Sequence, residues 1–565
     1  MRFFKRLTAV AAIAALAFAV MPGTPVRAAD PPKGAKWSEH YFPMGDGLTT
    51  LHADVFRPAD LSAKKKTPVI LSVSPYFNHS GQEPERFNPR ASGPSDRFYD
   101  FLDLSRILDR GYTYVMVDLP GFGGSGGCND WGGIREQGAV KAAVEWAAKQ
   151  PWSTGKVGMI GKSYDGWTGL MGMAQDPKGL AAVISMEPVY AGYRYLYNNG
   201  VRFLTSLTIA PVFTVADAKP GTMQDDPMYN LNGAPQAYCY PLNIGLQQDD
   251  DPNSAFWRER DLLRQAKGSD VPLFLTQGFL ETNTKPDGAF DFFNSLKGPN
   301  RAWFGQFDHV RGWEKLGERF QTGRDDFVEE MMRFLDHYVK GVPLKKAPVH
   351  RDPNIAVQDA LGRYRAEKSW PPPDSRLYWS KLRPGEYMDS ANNSSAGQNA
   401  GNGIWTFSQP LRHEAWLSGE PAVKVKLTAA PRANLVANIY DVDPKGGAKL
   451  ISRGANLIRG AGDQTVKFEM YGQDWPIKKG HRIGVILSSS NTDWWTHVPT
   501  RTPVTVNSAE VGLPFLKYNR TRFIQAKAST PRLEEWSRSE YTTVKKGTVS
   551  DNDRKFNLPG RLQRR

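Results

Sequence analysis

The chain has 565 residues, of which 40% are hydrophobic and 12% aromatic, and it carries a formal net charge of +14. This composition is typical of a globular protein with large cores, and the length predicts two or three domains. The basic residues are scattered and interleaved with acidic ones. The charge therefore indicates a solvated surface and argues against a nucleic-acid-binding protein.

The first 28 residues have the pattern of a secretory signal peptide. Three basic residues precede an apolar run at 7–20, and residues 26–28 offer small side chains at the spacing of a cleavage site. The run is short for a membrane span, and no cysteine for lipid attachment lies near the cleavage site. We expect an exported protein with no membrane association after cleavage.

The sequence contains two cysteines, Cys128 and Cys239. In the oxidising environment outside the cell, an even pair favours one disulfide bond. We therefore predict a bridge between them.

From residue 37 to residue 340, apolar runs of strand length alternate with helix-like segments. After a hairpin-like stretch at 37–56, the runs are 67–77, 112–119, 157–160, 180–186, 272–277 and 301–307. This alternation predicts a mostly parallel sheet covered by helices on both faces, with the chemistry at the carboxyl ends of the strands. Between about 187 and 265 the rhythm is lost and aromatic residues dominate. We interpret this segment as an inserted, largely helical cap.

Beyond residue 348 the composition changes to short strands separated by turn residues, beginning with 356–359. This pattern predicts an all-β sandwich or jelly roll. The expected domains are a signal peptide at 1–28, an α/β domain at 29–347 and a β domain at 348–565.

The stretch 156–173, KVGMIGKSYDGWTGLMGM, places a serine between a strand and a helix. Gly161 and Gly166 suit the sharp turn of a nucleophile elbow, which predicts Ser163 as a nucleophile. In the G-x-S-x-G pattern the second glycine comes one residue earlier, where this chain has Asp165. An ordinary loop or helix-capping serine is the alternative.

The histidine partner of such a serine follows it in the chain. Three histidines lie between Ser163 and the β domain. His337 lies inside a helix-like segment and His350 in the linker. His309, directly after the run 301–307, is therefore the predicted base.

The acid of the triad is expected at the end of the preceding strand. Glu281 occupies that position, just after the run 272–277. Its carboxylate would accept the Nδ1–H of His309 and stabilise the imidazolium. Asp287 is the alternative acid.

Several segments resemble the Xaa-Pro dipeptidyl-peptidase and cocaine esterase family of serine hydrolases. The resemblance is therefore to a family of the peptidase S15 type. The segments are Ser74-Pro75-Tyr76, the run 144–166, the GFLE loop, FDHVRGW, the FLDHYVKG helix and GHRIGVILSSS. In this family the elbow reads G-x-S-Y-x-G, which agrees with the late glycine. The resemblance implies an α/β-hydrolase fold with a helical cap and a C-terminal jelly roll of the galactose-binding-like type.

The resemblance also implies site residues. Ser163 would be the nucleophile, His309 the base and Glu281 the acid, although most relatives have Asp at this last position. The oxyanion donors would be the phenol of Tyr76 and the backbone N–H of Tyr164.

The family contains peptidases that release N-terminal Xaa-Pro dipeptides and esterases that cleave small acyl esters. The segment 190–201 favours the peptidase branch, so the expected substrate is a peptide, with a small ester as the alternative. Such an exopeptidase needs a carboxylate for the substrate ammonium. Glu187, after the run 180–186, is the candidate, with Asp225 and Asp226 as weaker ones.

A third hypothesis is that the β domain binds carbohydrate beside an inactive hydrolase domain. Exposed aromatic residues such as Trp494 and Trp495 would favour it, although adjacent tryptophans more often pack at an interdomain surface. The sequence shows no zinc spacing, dinucleotide motif or nucleotide loop, so no cofactor and no metal are expected.

Overall fold

The computed structural model describes residues 31–79, 93–209, 226–232, 239–397, 401–544, 549, 556–560 and 563–564. The predicted signal peptide lies outside these residues. Within them, no helix has both the length and the apolar character that a membrane crossing requires.

The first domain is built on one sheet of ten strands, as the alternating pattern predicts. In chain order they are β1 (Ala35–Pro43), β2 (Thr50–Pro58), β3 (Thr67–Ser74), β4 (Thr113–Asp118), β5 (Ser153–Lys162), β6 (Leu180–Met186), β9 (Leu273–Gly278), β10 (Asn300–Gly305), β13 (Ile355–Gln358) and β14 (Tyr364–Glu367). Two small hairpins lie outside it, β7 (Tyr197–Asn198) with β8 (Val201–Arg202), and β11 (Lys315–Leu316) with β12 (Arg319–Phe320).

The strand order is β1-β2-β4-β3-β5-β6-β9-β10-β13-β14. All neighbours from β4 to β13 are parallel, whereas β1, β2 and β14 pair antiparallel with their neighbours. The carboxyl ends of β5, β6, β9 and β10 therefore meet at one edge of the sheet.

Helices cover both faces of this sheet. They are α1 (Tyr99–Ser105), α2 (Ile134–Lys149), α3 (Tyr164–Gln175), α9 (Ala289–Ser295) and α10 (Phe327–Tyr338), while α4 (Gly192–Leu196), α5 (Pro227–Asn232), α6 (Cys239–Leu246), α7 (Ala255–Arg258) and α8 (Leu262–Gln265) belong to the cap.

Strand β3 shows why its central residues, 69–71, form a continuous apolar run. Val69 and Leu71 pack in the cluster that contains residues of α2 and α3, whereas Ile70 packs in the cluster with residues of α1 and α10. Successive side chains of a strand point to opposite faces, so a strand buried on both faces reads as a continuous apolar run.

The first two strands beyond residue 347 pair with the sheet of the first domain. The run 356–359, expected to open the β domain, forms β13, which pairs parallel with β10 and antiparallel with β14. Strand β13 is buried along its whole length. A buried apolar run of four residues can belong to a parallel sheet or to a β sandwich. Only the strand with which it pairs shows which of the two it joins. The ten-stranded sheet thus extends to residue 367, past the expected limit at 347.

The rest of the chain forms the predicted β sandwich. One sheet contains seven strands, β15 (Ser375–Leu382), β16 (Gly385–Met388), β18 (Ala415–Gly419), β19 (Ala422–Ala429), β22 (Gly462–Glu469), β23 (Gln473–Ile477) and β25 (Pro503–Leu516). The other contains five, β17 (Ile404–Phe407), β20 (Asn434–Val442), β21 (Gly447–Leu457), β24 (Arg482–Ser488) and β27 (Tyr541–Thr543). A two-stranded ribbon of β26 (Tyr518–Asn519) and β28 (Gln563–Arg564) and helix α11 (Pro531–Ser539) complete the described part.

The cap packs against this β sandwich. Phe203 of the cap forms an isolated β-bridge with Trp495, and their rings stack with centroids 5.9 Å apart. Trp495 is 2% exposed, and the guanidinium of Arg453 lies 3.6 Å from the ring of Trp494. Trp495 is therefore a buried interface residue, and the partly exposed Trp494 packs against Arg453 beside it.

Candidate active site

Ser163 occupies a strained elbow between β5 and α3. Its backbone has φ of 66° and ψ of −123°, a conformation that residues other than glycine rarely adopt. A Cβ on Gly161 would lie 2.3 Å from atoms of Asp165, and one on Gly166 would lie 2.8 Å from the carbonyl oxygen of Met186. The turn thus requires glycine at 161 and at 166, which explains the late second glycine.

Asp165, at the place of the usual second glycine, connects the elbow to Tyr76. Its buried carboxylate accepts hydrogen bonds from Ser74 and from the Nε and Nη2 of Arg97, the latter two at 3.0 and 2.9 Å. The Arg97 guanidinium lies 4.2 Å from the ring centroid of Tyr76. The Ser74 hydroxyl also accepts from the backbone N–H of Tyr76 at 3.1 Å. The Ser-Pro-Tyr motif is therefore held against the turn that carries Ser163.

Tyr164 is the first residue of α3, so its backbone N–H is one of the donors that point out of the N-terminus of the helix. Its phenol donates to Oε2 of Glu136 at 2.7 Å, and Glu136 also accepts from the backbone N–H groups of Trp131 and Gly132. Burial and the nearby Asp130 raise the pKa of Glu136 to about 8. This network fixes the helix start and leaves the Tyr164 N–H as a predicted oxyanion donor. The rings of Tyr76 and Tyr164 lie 6.4 Å apart, edge to face.

The predicted acid and base are in direct contact. Nδ1 of His309 lies 2.8 Å from Oε2 of Glu281, whose other oxygen accepts from the backbone N–H of Asn283 at 2.6 Å. Burial alone would raise the pKa of Glu281, but His309 and these hydrogen bonds hold it below its usual value. Glu281 is therefore an anion that can fix the histidine tautomer.

The segment of His309 also meets the segment of Ser163. Nζ of Lys162, the residue before the serine, lies 3.4 Å from the backbone oxygen of His309. Ser163 follows β5, Glu281 follows β9 and His309 follows β10, so the three predicted triad residues share one sheet edge.

Glu187 does not lie where its predicted role requires. It is 0% exposed, and its carboxyl accepts from the Thr276 hydroxyl, the Gln277 amide and the Gly278 backbone N–H at 3.0 to 3.2 Å. Burial and the charge of Glu281 raise the pKa of Glu187 well above its usual value. Strand β6 ends one residue earlier, so the sequence indicated the correct edge but not the depth of the side chain. Glu187 therefore lies buried near the predicted acid Glu281 and does not face solvent, where a substrate ammonium would have to bind.

The other candidate acids lie elsewhere. Asp287 forms an ion pair with Arg194 at 3.1 Å and accepts from Asn198 at 3.0 Å, so it is not the partner of His309. Asp226 is exposed and accepts from the backbone N–H of Met228. Asp225 lies outside the described residues.

Lys285 is a buried cation close to the triad. Its Nζ donates to the backbone oxygen of Tyr195 at 3.2 Å and lies 4.1 Å from the ring centroid of Phe203. Burial lowers its pKa to about 7, although Glu281 and Asp287 favour the charged form. Sequence analysis overlooked this residue because an isolated lysine in a loop is usually solvated.

Cys128 is disulfide-bonded, and the described residues include no free cysteine. A bond to Cys239, at the start of α6, stays a prediction. Asn243 of α6 donates to the side chain of Asn129 at 2.9 Å, and this hydrogen bond fastens the cap to the loop after β4.

Residues 46–311 match the family profile described as X-Pro dipeptidyl-peptidase (S15 family), and residues 348–533 match that of the X-Pro dipeptidyl-peptidase C-terminal non-catalytic domain. The chain therefore contains an S15-family peptidase domain followed by the C-terminal domain of X-Pro dipeptidyl-peptidases. Together the two matches cover most of the chain, and they make it a serine hydrolase.

A candidate Xaa-Pro dipeptidyl-peptidase from Streptomyces avermitilis is 28% identical to this S15 protein over 455 residues, which are 71% of this chain and 63% of the relative. The chain thus spans less than two thirds of that relative's length. A CocE/NonD family hydrolase from Staphylococcus aureus has the same fold, with a TM-score of 0.65, 15% identity and coverage of 84% of this chain and 93% of the other. An α-amino acid ester hydrolase structure gives a TM-score of 0.64 at 18% identity, covering 88% and 99%.

Sequence reasoning missed the residues that hold the S15 site together. Arg97, Glu136 and Thr284 lie in separate segments and match no motif. The Thr284 hydroxyl donates to the backbone oxygen of Glu187 at 2.7 Å and lies 3.3 Å from both Oε2 of Glu281 and Nδ1 of His309. In the sequence, the only indication of a role for Thr284 is its place three residues after the predicted acid Glu281.

Proposed function

We propose that this protein is an exported Xaa-Pro dipeptidyl-peptidase that works through an acyl-enzyme on Ser163. The observation that carries the proposal is the 2.8 Å contact between His309 and Glu281 at the sheet edge where the strained Ser163 lies. The S15 family match supports the peptide substrate.

The geometry supports the following sequence of events. His309 accepts the Ser163 hydroxyl proton on Nε2 while Nδ1–H donates to Glu281, which stabilises the imidazolium. The serine oxygen attacks the carbonyl carbon of the proline residue at the bond to be cleaved. The Tyr76 phenol and the Tyr164 N–H donate hydrogen bonds to the resulting oxyanion. His309 then protonates the leaving amine, and water cleaves the acyl-enzyme by the same route.

Cleavage of small acyl esters is the second candidate, and one observation favours it. The carboxylate nominated for the substrate ammonium, Glu187, is 0% exposed, and Asp226 is exposed at the start of α5. An ester substrate needs no ammonium partner. Both candidates use the same triad, so the substrate test must separate them.

The test compares kcat/KM on Gly-Pro-p-nitroanilide with kcat/KM on p-nitrophenyl butyrate, with Ser163→Ala as the blank in both assays. We expect anilide cleavage that disappears when the N-terminal amine of the substrate is acetylated. Ester cleavage without anilide cleavage would place the protein in the esterase branch. Absence of labelling by a fluorophosphonate probe would overturn both, because a binding protein has no activated serine.

Export rests on the pattern of residues 1–28, and the disulfide at Cys128 supports an oxidising compartment. Expression of the full chain in a bacterial host should release a protein whose N-terminus follows residue 28, as Edman sequencing would show. An intact N-terminus on a cell-retained protein would contradict export.

A further inference from the structure

A second cluster of histidines and carboxylates lies on the β1–β2 hairpin, at the end of the sheet that β1 forms. The register pairs Glu39 with Asp54 and Tyr41 with His52, so the four side chains share one face of the hairpin. His79, five residues after the end of β3, reaches the same place. One ligand-type atom each of Glu39, His52 and His79 lies within 4.8 Å of the others.

We propose that Glu39, His52 and His79 bind a divalent transition metal ion, with Zn²⁺ as the first candidate. Two imidazoles and one carboxylate are a donor set that Zn²⁺ accepts, with a fourth position for water. This departs from the absence of a metal expected from the sequence, because the three ligands come from three separate segments and form no spacing motif.

The contact between His52 and Glu39 has the geometry of two ligands. Nε2 of His52 lies 3.0 Å from Oε1 of Glu39, yet this buried nitrogen has no aligned hydrogen-bond partner among the described residues. Two ligands of one tetrahedral zinc lie about 3.3 Å apart, and each points at the ion instead of at the other. A cation between these atoms would satisfy the nitrogen and the carboxylate together.

The surroundings have the outer shell of a metal site. Nδ1 of His52 lies 2.8 Å from Oδ2 of Asp118, and Nε2 of His79 lies 3.2 Å from Oδ2 of Asp54. Histidines that bind metals almost always have such a partner on the ring, which orients it and raises its basicity. Asp118 is itself fixed by the backbone N–H of Gly124 at 3.0 Å.

Burial and access also fit a bound ion. His52 and His79 are each 1% exposed in the side chain, whereas Glu39 is 21% exposed and opens a route from solvent. The ring of Tyr229 from the cap stacks on His79 with centroids 4.2 Å apart and covers the cluster. The ion would join the hairpin to the loop that also carries Tyr76, three residues before His79.

The competing arrangement has a proton in place of the metal. Burial lowers the pKa of His52, but Asp118 and Glu39 more than offset this and raise it to about 9. Without a metal, His52 would therefore be a cation between two carboxylates. The two arrangements differ in metal content and in their response to chelators.

The test measures the metal content of the full-length protein by inductively coupled plasma mass spectrometry, after purification without chelator or metal-affinity resin. We expect about one metal ion per chain. Dialysis against dipicolinate should lower Tm by several degrees, and Zn²⁺ should restore it, because an ion that binds the native state stabilises it by mass action.

Variants assign the ion to this cluster. Glu39→Gln and His52→Asn should each weaken zinc affinity at least tenfold, since loss of an outer-shell partner alone costs about 10- to 100-fold. His40→Asn is the matched control, because His40 is the next residue on β1 and contacts Ser38 and Trp146 instead. If His52→Asn does not fold, the partly exposed Glu39 still gives a usable variant.

The proposal would be overturned in favour of the protonated cluster if the wild-type protein takes up no Zn²⁺ and neither chelator nor zinc changes its Tm. Loss of metal in His40→Asn to the same extent as in Glu39→Gln would overturn the assignment to these residues.

Discussion

His309 and His52 of the α/β domain each have Nδ1 2.8 Å from a carboxylate oxygen, and they have different surroundings. His309 contacts Glu281 and its side chain is 21% exposed, whereas His52 contacts Asp118 and is 1% exposed. The second nitrogen of His52 faces another carboxylate, Glu39, at 3.0 Å. His52 therefore has no position from which it could accept a proton from a substrate or a serine.

The difference shows that a histidine–carboxylate pair is not by itself a sign of catalysis. His309 follows a parallel strand, at the edge where strand ends meet and a cleft can form. His52 lies within β2, between β1 and β4, in an antiparallel part of the sheet. Place in the sheet and access to solvent separate a base from a buried ligand or ion-pair residue.

The largest expected effect tests His309 as the base. Ser163→Ala and His309→Ala should each lower kcat on the order of a million-fold, because the triad acts as a unit. His481→Asn is the control, since it breaks a 2.7 Å contact with Asp441 in the β domain. It should retain the wild-type kcat. If the His309→Ala variant kept its activity, His309 would not be the base, and its role would not differ from that of His52.

Glu281→Gln should cost about ten-thousandfold in kcat, because an amide in place of the carboxylate favours the wrong tautomer and leaves the imidazolium without its anion. Asp287→Asn is the control, since its ion pair with Arg194 lies away from His309. Steady-state kinetics on the better substrate measures both. Near-normal turnover of Glu281→Gln with loss in Asp287→Asn would reverse the acid assignment.

Tyr76→Phe should lower kcat by about a hundred- to a thousandfold with little change in KM, because an oxyanion donor acts in the transition state. Stacking on Arg97 needs only the ring and should persist. Tyr387→Phe removes a buried phenol that donates to the Asn434 backbone oxygen in the β domain, and we expect wild-type kcat. An equal loss in both variants would indicate general destabilisation.

Glu187→Gln should change kcat/KM by less than about tenfold, because the neutral amide fills the same space and keeps an oxygen acceptor for the buried donors around it. Glu187→Ala should instead lower the free energy of unfolding by about 1–3 kcal/mol, since buried donors lose their acceptor. Urea denaturation and kinetics of the two variants measure these effects. A Gln variant as inactive as Glu281→Gln would mean that an ionised Glu187 is required.

The smallest effect concerns Lys285, the buried cation beside Glu281. Its pKa is about 7 in the folded protein against 10.5 for the ordinary side chain, so between these values the unfolded chain binds the extra proton. Its contribution to stability therefore rises with pH over that range. Tm of Lys285→Met should rise less between pH 7 and pH 10 than that of the wild type or of the exposed control Lys267→Met.

The sequence predicted the sheet, the sandwich and the places of Ser163, Glu281 and His309, because a pattern of residues close together in the chain indicates each of them. Strand-length runs, the glycines of the elbow and the position after a strand need no distant contact to be recognised. Glu187 was misjudged for the opposite reason. Its burial depends on Thr276 and Gln277, about ninety residues away.

The cluster around His52 shows the same limit more strongly. Its members come from β1, β2, β4, a loop and the cap, and no two of its ligands have a spacing that a motif could describe. Only the hairpin register places Glu39 and His52 side by side.

Strand β13 bears on how the protein could be divided into fragments. A cut at residue 347 would uncover one side of β10 and leave its main-chain N–H and C=O groups as an open edge, a template for aggregation. Strand β10 leads directly into the loop of His309, so a fragment ending there would lose both solubility and an ordered base. The smallest soluble hydrolase unit must extend past residue 367, and natural recombination between the two domains faces the same limit.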